Sequence, residues 1–479
     1  MSRISLPEVS VLLPAYNYES FVQESLESAL AQDYPADRLQ IIVVDDGSTD
    51  GTADAVRRVM ERHPGRVTFV QQENSGQVAT VARARDEATG ELLAFLDADD
   101  IWLPNKVSKL VAAYQSQPDV GLVFSDMATI DLSGTVVKRT LFDPGEPQLD
   151  PVWLYARVMR TNIIWGGSAM YRADLMAQAR PETIEAWDWW LAVLATQKQV
   201  AGELRIAFVP EALALYRDHG ENMLLGAGGG KLVALRRRQL AFQLWAFRNM
   251  DITALSGRHL IDIWGGAEWF AKTAREATGS NFLDLVSISE QERARARELR
   301  EQADAAQARG DLQTEMRLRF RAIAWDPFEP DAFLRLQTAT LQADAVARLP
   351  HPLEGARPFV VLADAEDLLA DEGMLRAYVQ AMANDDRVTL AIDATRLPPD
   401  QVAPRLQALM SRSGVDDRHD IDVLAVAGAL DAPQRFRMTS GAHARFVSDA
   451  AAAAADGAHA SAPSFTRAQL DALRSLADT

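Results

Sequence analysis

The stretch LLAFLDADD, residues 92–100, decides the fold of the N-terminal half of this 479-residue chain. It begins as an uninterrupted apolar run and ends in the aspartates Asp97, Asp99 and Asp100. A short apolar run that ends in polar residues is typical of a strand buried on both faces of a parallel sheet. The stretch therefore predicts a buried strand whose carboxyl end carries acidic side chains.

Strand and helix patterns alternate on the N-terminal side of this stretch. The ranges with strand patterns are 9–16, 41–48 and 67–72, and those with helical spacing of apolar residues are 17–32, 52–62 and 78–88. Such a β-α-β-α succession predicts an α/β fold built on a doubly wound parallel sheet.

Polar clusters follow the predicted strands. They are Tyr16-Asn17, DDGS at 45–48, NSGQ at 74–77 and DADD at 97–100. Ligands of α/β sheets collect at the carboxyl ends of the strands. One cluster alone could be a turn, because Asp, Asn, Gly and Ser are ordinary turn residues. The convergence of all of them at one edge of one sheet predicts a binding site.

The remaining sequence predicts further domains, as the chain length also suggests. The expected organisation is an α/β domain at 1–228, a helical extension at 229–285, a tetratricopeptide-like helical hairpin at 286–350, a smaller α/β domain of unknown role at 356–450, and a linker with a terminal helix at 451–479. The glycine run LLGAGGGK marks the first boundary.

Composition excludes several classes of protein. A net charge of -18 argues against nucleic-acid binding, which needs a basic field. With 0 cysteines there are no disulfides and no thiolate metal sites. The sequence lacks an apolar run of about 18 residues and an N-terminal signal-peptide pattern. We therefore expect a cytoplasmic protein without a transmembrane segment, and peripheral membrane association stays open.

The motifs PAYN, VVDDGSTDGT, ENSGQ, ATGELLAFLDADD and YRDHGEN, in this order and spacing, resemble the family 2 glycosyltransferases of the GT-A fold. The resemblance covers about residues 8–222. It implies a metal-dependent, inverting transfer of a sugar from a nucleotide-sugar, by default a UDP-sugar. The acceptor would be a saccharide or glycoconjugate, with bacterial surface polysaccharide synthesis as the setting.

The same resemblance implies roles for individual residues. Those expected to bind the nucleotide-sugar are Pro14, Tyr16, Asn17, Asp45, Asp46, Asn74, Gly76, Gln77, Asp97, Ala98 and Arg217. Asp46 is the first choice for the nucleobase contact, because an ionised carboxylate only accepts hydrogen bonds. Asp99 is expected to ligate Mg²⁺ or Mn²⁺, which prefer oxygen ligands, with His219 as a further ligand.

The chain departs from the family pattern after Gln77. An Ala-Arg-Asn triplet is common there, whereas this chain has Thr80, Val81 and Ala82. The phosphate contacts of that triplet are therefore in question. Arg83 could replace them, or it could be an ordinary surface arginine.

The catalytic base is expected in IEAWDWWLAVLA, residues 184–195. Alignment on the downstream Trp-Leu pair favours Asp188 as the group that takes the acceptor proton, and Glu185 is the second candidate. Trp187 and Trp189 could stack on the acceptor sugar or fill the core.

Other functions are also compatible with the sequence. A non-catalytic carbohydrate-binding or scaffold protein is supported by the altered triplet and by Ala186, which takes the position of the base when the alignment is set on Glu185. A nucleotidyltransferase is disfavoured, because PAYNYESF after the first strand is neither glycine-rich nor basic. The C-terminal α/β domain has no catalytic motif, and acceptor docking is the favoured hypothesis for it.

Overall fold

The computed structural model describes residues 6–138, 149–178, 186–220, 229–279, 285–349, 351–382, 387–414, 421–449, 451 and 462–477. The chain divides into two compact units. The first comprises residues 1–296 and 323–328, and the second comprises residues 297–322 and 329–479.

The first unit begins with a parallel α/β half. Its strands are β1 (Val9–Ala15), β2 (Leu39–Asp45), β3 (Val67–Gln71) and β4 (Leu92–Phe95), and its helices are α1 (Val22–Leu30), α2 (Thr52–Arg62) and α3 (Gln77–Asp86). The strands lie in the order β3-β2-β1-β4, and neighbouring strands are parallel. All residues of β4 are buried, as its apolar run predicts.

The parallel arrangement expected from residues 9–100 is confirmed in β1 to β4, whereas the other half of this sheet is mixed. Its strands are β5 (Ile101–Trp102), β6 (Val120–Ile130), β7 (Val136–Lys138), β8 (Ala169–Arg172) and β9 (Arg205–Arg217). The order continues β4-β8-β6-β9-β5, with β7 on β6. Strand β8 is antiparallel to β4 and β6, and β5 is antiparallel to β9. Strand direction depends on distant pairing partners, which a local apolar pattern does not report. The result is a GT-A-like α/β domain.

Helices complete the first unit. They are α4 (Lys106–Gln115), α5 (Pro151–Arg160), α6 (Ala173–Met176), α7 (Trp187–Val200), α8 (Gly229–Asn249) and α9 (Gly257–Thr278). Helices α8 and α9 lie within residues 229–285, the range expected for a helical extension. Ser256 caps α9 by accepting a hydrogen bond from the His259 amide.

Three helices follow where a hairpin was expected: α10 (Glu290–Arg309), α11 (Leu312–Trp325) and α12 (Ala332–Ala347). The tetratricopeptide-like hairpin is not confirmed. The start of α10 and the end of α11 group with the first unit. Arg248 explains this grouping, since it donates to Glu292 and to the Ala324 carbonyl and lies 4.5 Å from the centre of the Trp325 ring.

The second unit contains a separate, smaller parallel sheet. Its strands are β10 (Phe359–Asp364), β11 (Val388–Asp393), β12 (Asp422–Val426), β13 (Ala444–Phe446) and β14 (Ser464–Phe465), in the order β12-β11-β10-β13-β14. Its helices are α13 (Ala365–Ala370), α14 (Glu372–Ala381), α15 (Pro399–Ser413), α16 (Ala432–Ser440) and α17 (Leu470–Ala477). A crevice of about 270 Å³, lined in part by Asp364, Asp393 and Arg445, lies where the strand order reverses between β10 and β13. In the described ranges, no helix has the length and apolarity needed to cross a membrane.

Candidate active site

The loops after β1 and β2 are joined by Asn17. Its side-chain oxygen accepts a hydrogen bond from the Thr49 amide at 2.8 Å, and its own amide donates to Ser48 Oγ at 2.9 Å. Asn17 has a φ of 59°, a left-handed conformation that asparagine tolerates better than most residues. The neighbouring Tyr16 side chain remains 43% exposed at this edge. Asn17 therefore builds the loop, and Tyr16 is accessible to a ligand.

Asp46 organises the loop between β3 and α3. Its Oδ1 accepts hydrogen bonds from the Ser75 amide at 2.9 Å and from Gln72 Nε2 at 2.7 Å, and its Oδ2 accepts from the Gly76 amide at 2.9 Å. Asp45 similarly accepts from the Ser48 amide at 3.1 Å. Both carboxylates are thus engaged by the protein, although each oxygen has more than one lone pair. The nucleobase contact of Asp46 stays a prediction.

The other residues expected to contact the donor differ in accessibility. Asn74, Gly76 and Gln77 are exposed at the start of α3, whereas Pro14 is half-buried in β1 and Ala98 is buried in the core. The exposed loop is therefore the accessible part of this group.

Arg83 does not reach this loop as a free cation. It is half exposed on α3 and pairs with Glu87, one helical turn later, at 2.7 Å. The alternative of an ordinary surface arginine therefore describes Arg83 better than a phosphate contact.

The end of β4 concentrates negative charge in the interior. Asp99 is 8% exposed and Asp100 is 2% exposed. Asp100 Oδ1 accepts a hydrogen bond from the Arg217 amide at 3.0 Å, whereas its buried Oδ2 has no hydrogen-bond partner among the described residues. Burial raises the pKa of Asp97 to about 7, and the carboxylates of Asp99 and Asp188 add to this effect. Burial likewise raises the pKa of Asp100 well above its usual range.

A buried lysine faces these carboxylates, and the motif analysis missed it. Lys106 is 0% exposed, and its Nζ donates to the Gly167 carbonyl at 2.7 Å. Burial lowers the pKa of Lys106 to about 7, while the carboxylates of Asp100 and Asp97 oppose that shift. A sequence signal existed, because Lys106 precedes Leu110 by four residues and so shares the apolar face of α4.

Asp99 and His219, the two expected metal ligands, are hydrogen-bonded to each other. Their Oδ2 and Nε2 atoms are 3.1 Å apart. The contact results from the pairing of β5 with β9, in which Ile101 lies opposite Leu215. This pairing brings the residues just before β5 next to those just after β9.

Tyr18 and Phe21 support this pair of residues, and sequence reasoning did not select them. The Tyr18 hydroxyl hydrogen-bonds to Asp99, and burial together with the nearby carboxylates raises the Tyr18 pKa. The Phe21 ring stacks on the His219 ring with their centres 5.2 Å apart. Both residues are in the segment between β1 and α1, which the motif search treated as part of a helix.

Arg217 occupies a different position from the expected phosphate contact. It is 4% exposed; its Nε donates to the Asp99 carbonyl at 3.0 Å, and its terminal nitrogen donates to Glu24 at 2.6 Å. The guanidinium also lies 5.4 Å from the centre of the Phe21 ring. These contacts correct the expectation for Arg217, which holds the backbone behind the acidic cluster.

Asp188 begins α7 and faces the segment 162–168. Its Oδ2 accepts hydrogen bonds from Asn162 Nδ2 at 2.9 Å and from the Gly166 amide at 3.4 Å, and its Oδ1 accepts from the Trp189 amide at 2.8 Å. Burial raises the pKa of Asp188, and these hydrogen bonds partly oppose the shift. A carboxylate with a raised pKa is a stronger base. Glu185, the second candidate, lies outside the described residues.

The two tryptophans beside Asp188 pack inside the domain. Trp189 is 2% exposed, and its Nε1 donates to the Val158 carbonyl at 2.6 Å, while its ring packs on Phe242. The Trp187 ring, 6% exposed, lies 4.0 Å from the Phe95 ring centre. Both tryptophans therefore fill the core, which was the alternative expectation, and Trp189 has no face open to an acceptor.

The residues present fit a magnesium or manganese ion that is completed by a ligand. Among the described residues, no group of three or more acidic, histidine or cysteine side chains could hold a metal. Mg²⁺ commonly takes one or two protein ligands and completes its shell with phosphates and water. Adjacent ligands of an octahedral ion about 2.1 Å from the metal lie about 3 Å apart. The 3.1 Å separation of Asp99 and His219 matches that distance.

Comparisons with known proteins agree with these features. Residues 10–178 match the model of glycosyl transferase family 2. An uncharacterized glycosyltransferase of Nostoc sp. is 28% identical over 46% of this chain and 67% of its own length. The putative teichuronic acid biosynthesis glycosyltransferase TuaG of Bacillus subtilis is 32% identical over 29% of this chain and 54% of its own length. The chain thus spans between about half and two thirds of these relatives.

Solved structures show a weaker similarity. A mannosyltransferase from Pyrobaculum calidifontis, in complex with GDP-Man and Mn²⁺, is 23% identical, covers 67% of this chain and 86% of its own, and has a TM-score of 0.40. S. aureus TarS in complex with UDP-GlcNAc is 19% identical and has a TM-score of 0.41, with coverage of 71% of this chain and 92% of its own.

The role of Asp46 in the β3–α3 loop can be tested directly. Asp46→Asn replaces one accepting oxygen with an NH₂ group, so the amides of Ser75 and Gly76 cannot both keep their bonds. A hydrogen bond to a charged group contributes roughly 1.5–3 kcal/mol, so we expect hydrogen exchange at these amides to accelerate about tenfold or more. The control is Asp54→Asn, a 70% exposed side chain paired with Arg57. Unchanged exchange at both amides would contradict the assigned role.

Proposed function

Because residues 10–178 of this chain form a glycosyltransferase family 2 domain, we propose that the protein transfers a sugar from a nucleotide-sugar to a saccharide or glycoconjugate acceptor. The observation that carries this proposal is that the Asp99–His219 pair and the half-buried carboxylate of Asp188 both lie near Asp97, whose pKa the carboxylates of Asp99 and Asp188 raise further after burial. A UDP-sugar is the default donor. Relatives such as TuaG favour surface polysaccharide synthesis as the setting.

The donor would lie over the loops that follow β1, β2 and β3. Tyr16 is exposed there and would stack on the nucleobase of the donor, next to Asp45 and Asp46. The exposed loop that includes Asn74 and Gly76 would border the diphosphate. This placement follows the rule that ligands of such sheets bind at the carboxyl ends of the strands.

Asp99 and His219 would hold Mg²⁺ or Mn²⁺. When bound, such an ion neutralises charge that develops on the diphosphate leaving group. The remaining negative charge of the site would be balanced from behind by Lys106 and Arg217. Both cations are buried and held by backbone carbonyls, so their positions do not depend on the ligand.

Asp188 would act as the general base in a single displacement with inversion. Its carboxylate accepts the proton of the acceptor hydroxyl as the oxygen attacks the anomeric carbon. The bond from that carbon to the diphosphate oxygen breaks, and the electron pair leaves with the nucleoside diphosphate. A base works best when its pKa lies near the working pH, and the raised pKa of Asp188 moves in that direction.

A non-catalytic carbohydrate-binding or scaffold protein is the second candidate. Thr80, Val81 and Ala82 occupy the positions of the usual Ala-Arg-Asn triplet, and Arg83 is engaged with Glu87. A domain that binds a nucleotide-sugar without turnover would have the same fold. Turnover of the donor separates the two candidates.

Substitution of the two carboxylates tests the proposed catalysis. We expect Asp188→Asn to lower sugar transfer and donor hydrolysis about 10²- to 10⁴-fold, because the base is lost, while donor binding persists. Asp99→Asn should abolish the stimulation by Mn²⁺. The assay measures nucleoside diphosphate released from UDP-glucose, UDP-GlcNAc and GDP-mannose, with Asp54→Asn as a surface control. Turnover that survives both substitutions would place the chemistry elsewhere.

The pH dependence of turnover should respond to Asn162. Its hydrogen bond stabilises the ionised form of Asp188, so Asn162→Ala raises the Asp188 pKa further. The base must be ionised to accept a proton. As the pH falls, the Asn162→Ala variant should therefore lose activity at a higher pH than the wild-type protein. A bond worth about 1 kcal/mol corresponds to a shift of about 0.7 pH units in the acid limb of kcat/KM for donor hydrolysis. Asn249→Ala, on α8, is the control, and an unshifted limb in Asn162→Ala would argue against Asp188 as the base.

A further inference from the structure

Lys106 is a buried cation that the proposed reaction does not use directly. Its side chain is 0% exposed, and its Nζ lies 5.1 Å from the centre of the Trp102 ring. An ammonium group loses its hydration when it is buried, and it is retained only where charges or hydrogen bonds compensate. A methionine of similar length would fill the same space without that cost. The compensating groups therefore indicate what Lys106 does.

Those groups meet at Gly167. The Gly167 carbonyl accepts the hydrogen bond of Lys106 Nζ at 2.7 Å. A Cβ atom at Gly167 would lie 3.3 Å from Asp97 Oδ2 and 3.6 Å from Asp100 Oδ2. The residue held by Lys106 thus also lies next to the two buried carboxylates that follow β4, with no room for a longer side chain between them. Its lack of a side chain permits this close approach.

The segment 162–168 connects Gly167 to the proposed base. Asn162 and the Gly166 amide both donate to Asp188 Oδ2. Trp165 Nε1 donates to the Asn162 carbonyl at 3.1 Å, which ties the middle of the segment to its first residue. A Cβ atom at Gly166 would lie 3.4 Å from Asp188 Cβ, so the segment packs directly against the base.

We propose that Lys106 is a positioning residue that clamps the segment 162–168 between the carboxylates of Asp97 and Asp100 and the base Asp188. Its cation attracts the carboxylates while its hydrogen bond holds the backbone that orients Asp188. The donor side and the acceptor side of the site thereby keep a fixed separation. The inference rests on the proposed glycosyl transfer for its catalytic consequence, whereas the clamp itself is a structural property.

A cysteine scan can separate the charge of Lys106 from its volume. The chain contains 0 cysteines, so Lys106→Cys provides a unique thiol. Alkylation in denaturant followed by refolding attaches either an aminoethyl or a propyl group. The two side chains have the same length and differ only in the terminal ammonium. The controls are the wild-type protein taken through the same cycle and Lys109→Cys, whose parent lysine lies on the same helix and pairs with Glu211 at the surface.

We expect the propylated Lys106→Cys protein to hydrolyse UDP-glucose, UDP-GlcNAc or GDP-mannose with a kcat lowered about 10- to 100-fold, as small misplacements of reacting groups do. The donor KM should change less than about threefold, since positioning acts on the reacting geometry and not on donor binding. Hydrogen exchange at the Gly166 amide should accelerate about tenfold. The aminoethylated protein should recover both properties, and Lys109→Cys should show neither change.

Equal behaviour of the propylated and aminoethylated proteins would overturn the inference, because volume alone would then explain Lys106. A rise in donor KM at constant kcat would also overturn it, since Lys106 would then act on binding. If the wild-type protein releases no nucleoside diphosphate from any of these donors, the proposed function fails. The proposed clamp is then tested only by comparing hydrogen exchange at the Gly166 amide in the propylated and aminoethylated proteins.

Discussion

Both the folding and the proposed chemistry of the N-terminal domain depend on how it compensates the negative charge of its buried aspartates. Asp97, Asp99 and Asp100 follow the central strand β4, and Asp188, at the start of α7, lies close enough to raise the pKa of Asp97 further. Like charges at such short range, removed from water, raise one another's pKa and oppose folding unless they are compensated. Burial raises the pKa of Asp97 to about 7, with the carboxylates of Asp99 and Asp188 adding to the shift, and burial alone raises the pKa of Asp188. Compensation of this charge links stability to function in this domain.

The protein supplies part of that compensation and leaves room for a ligand to supply more. Lys106 faces the cluster from α4, and Arg217 holds the backbone of Asp99 from β9. The fold fixes the positions of both cations. Asp99 Oδ2 and His219 Nε2, 3.1 Å apart, are the two atoms proposed to bind a metal ion. A divalent cation carried by the diphosphate of the donor would complete the charge balance of this cluster. Burial of Asp188 itself keeps the pKa of this carboxylate raised.

Much of this site could be predicted from the sequence, because its chemistry lies in contiguous motifs. DADD after an apolar run located the acidic cluster, and helix α2 was predicted with its observed bounds of Thr52–Arg62. Contacts that depend on distant pairing escaped prediction. The pairing of β5 with β9 directs Arg217 inward, and the burial of Lys106 contradicts the usual surface preference of lysine. Trp189 looked available to a sugar, but α5 and α8 cover it.

The most direct measurement is anomalous diffraction at the manganese edge from crystals soaked with UDP and Mn²⁺. The account predicts one manganese peak within about 2.5 Å of Asp99 and His219, with the UDP phosphates completing its coordination and the uracil near Tyr16. A manganese ion bound elsewhere, or UDP bound without contact to this pair, would contradict the claim that the acidic cluster exists to hold a cation against a nucleotide diphosphate.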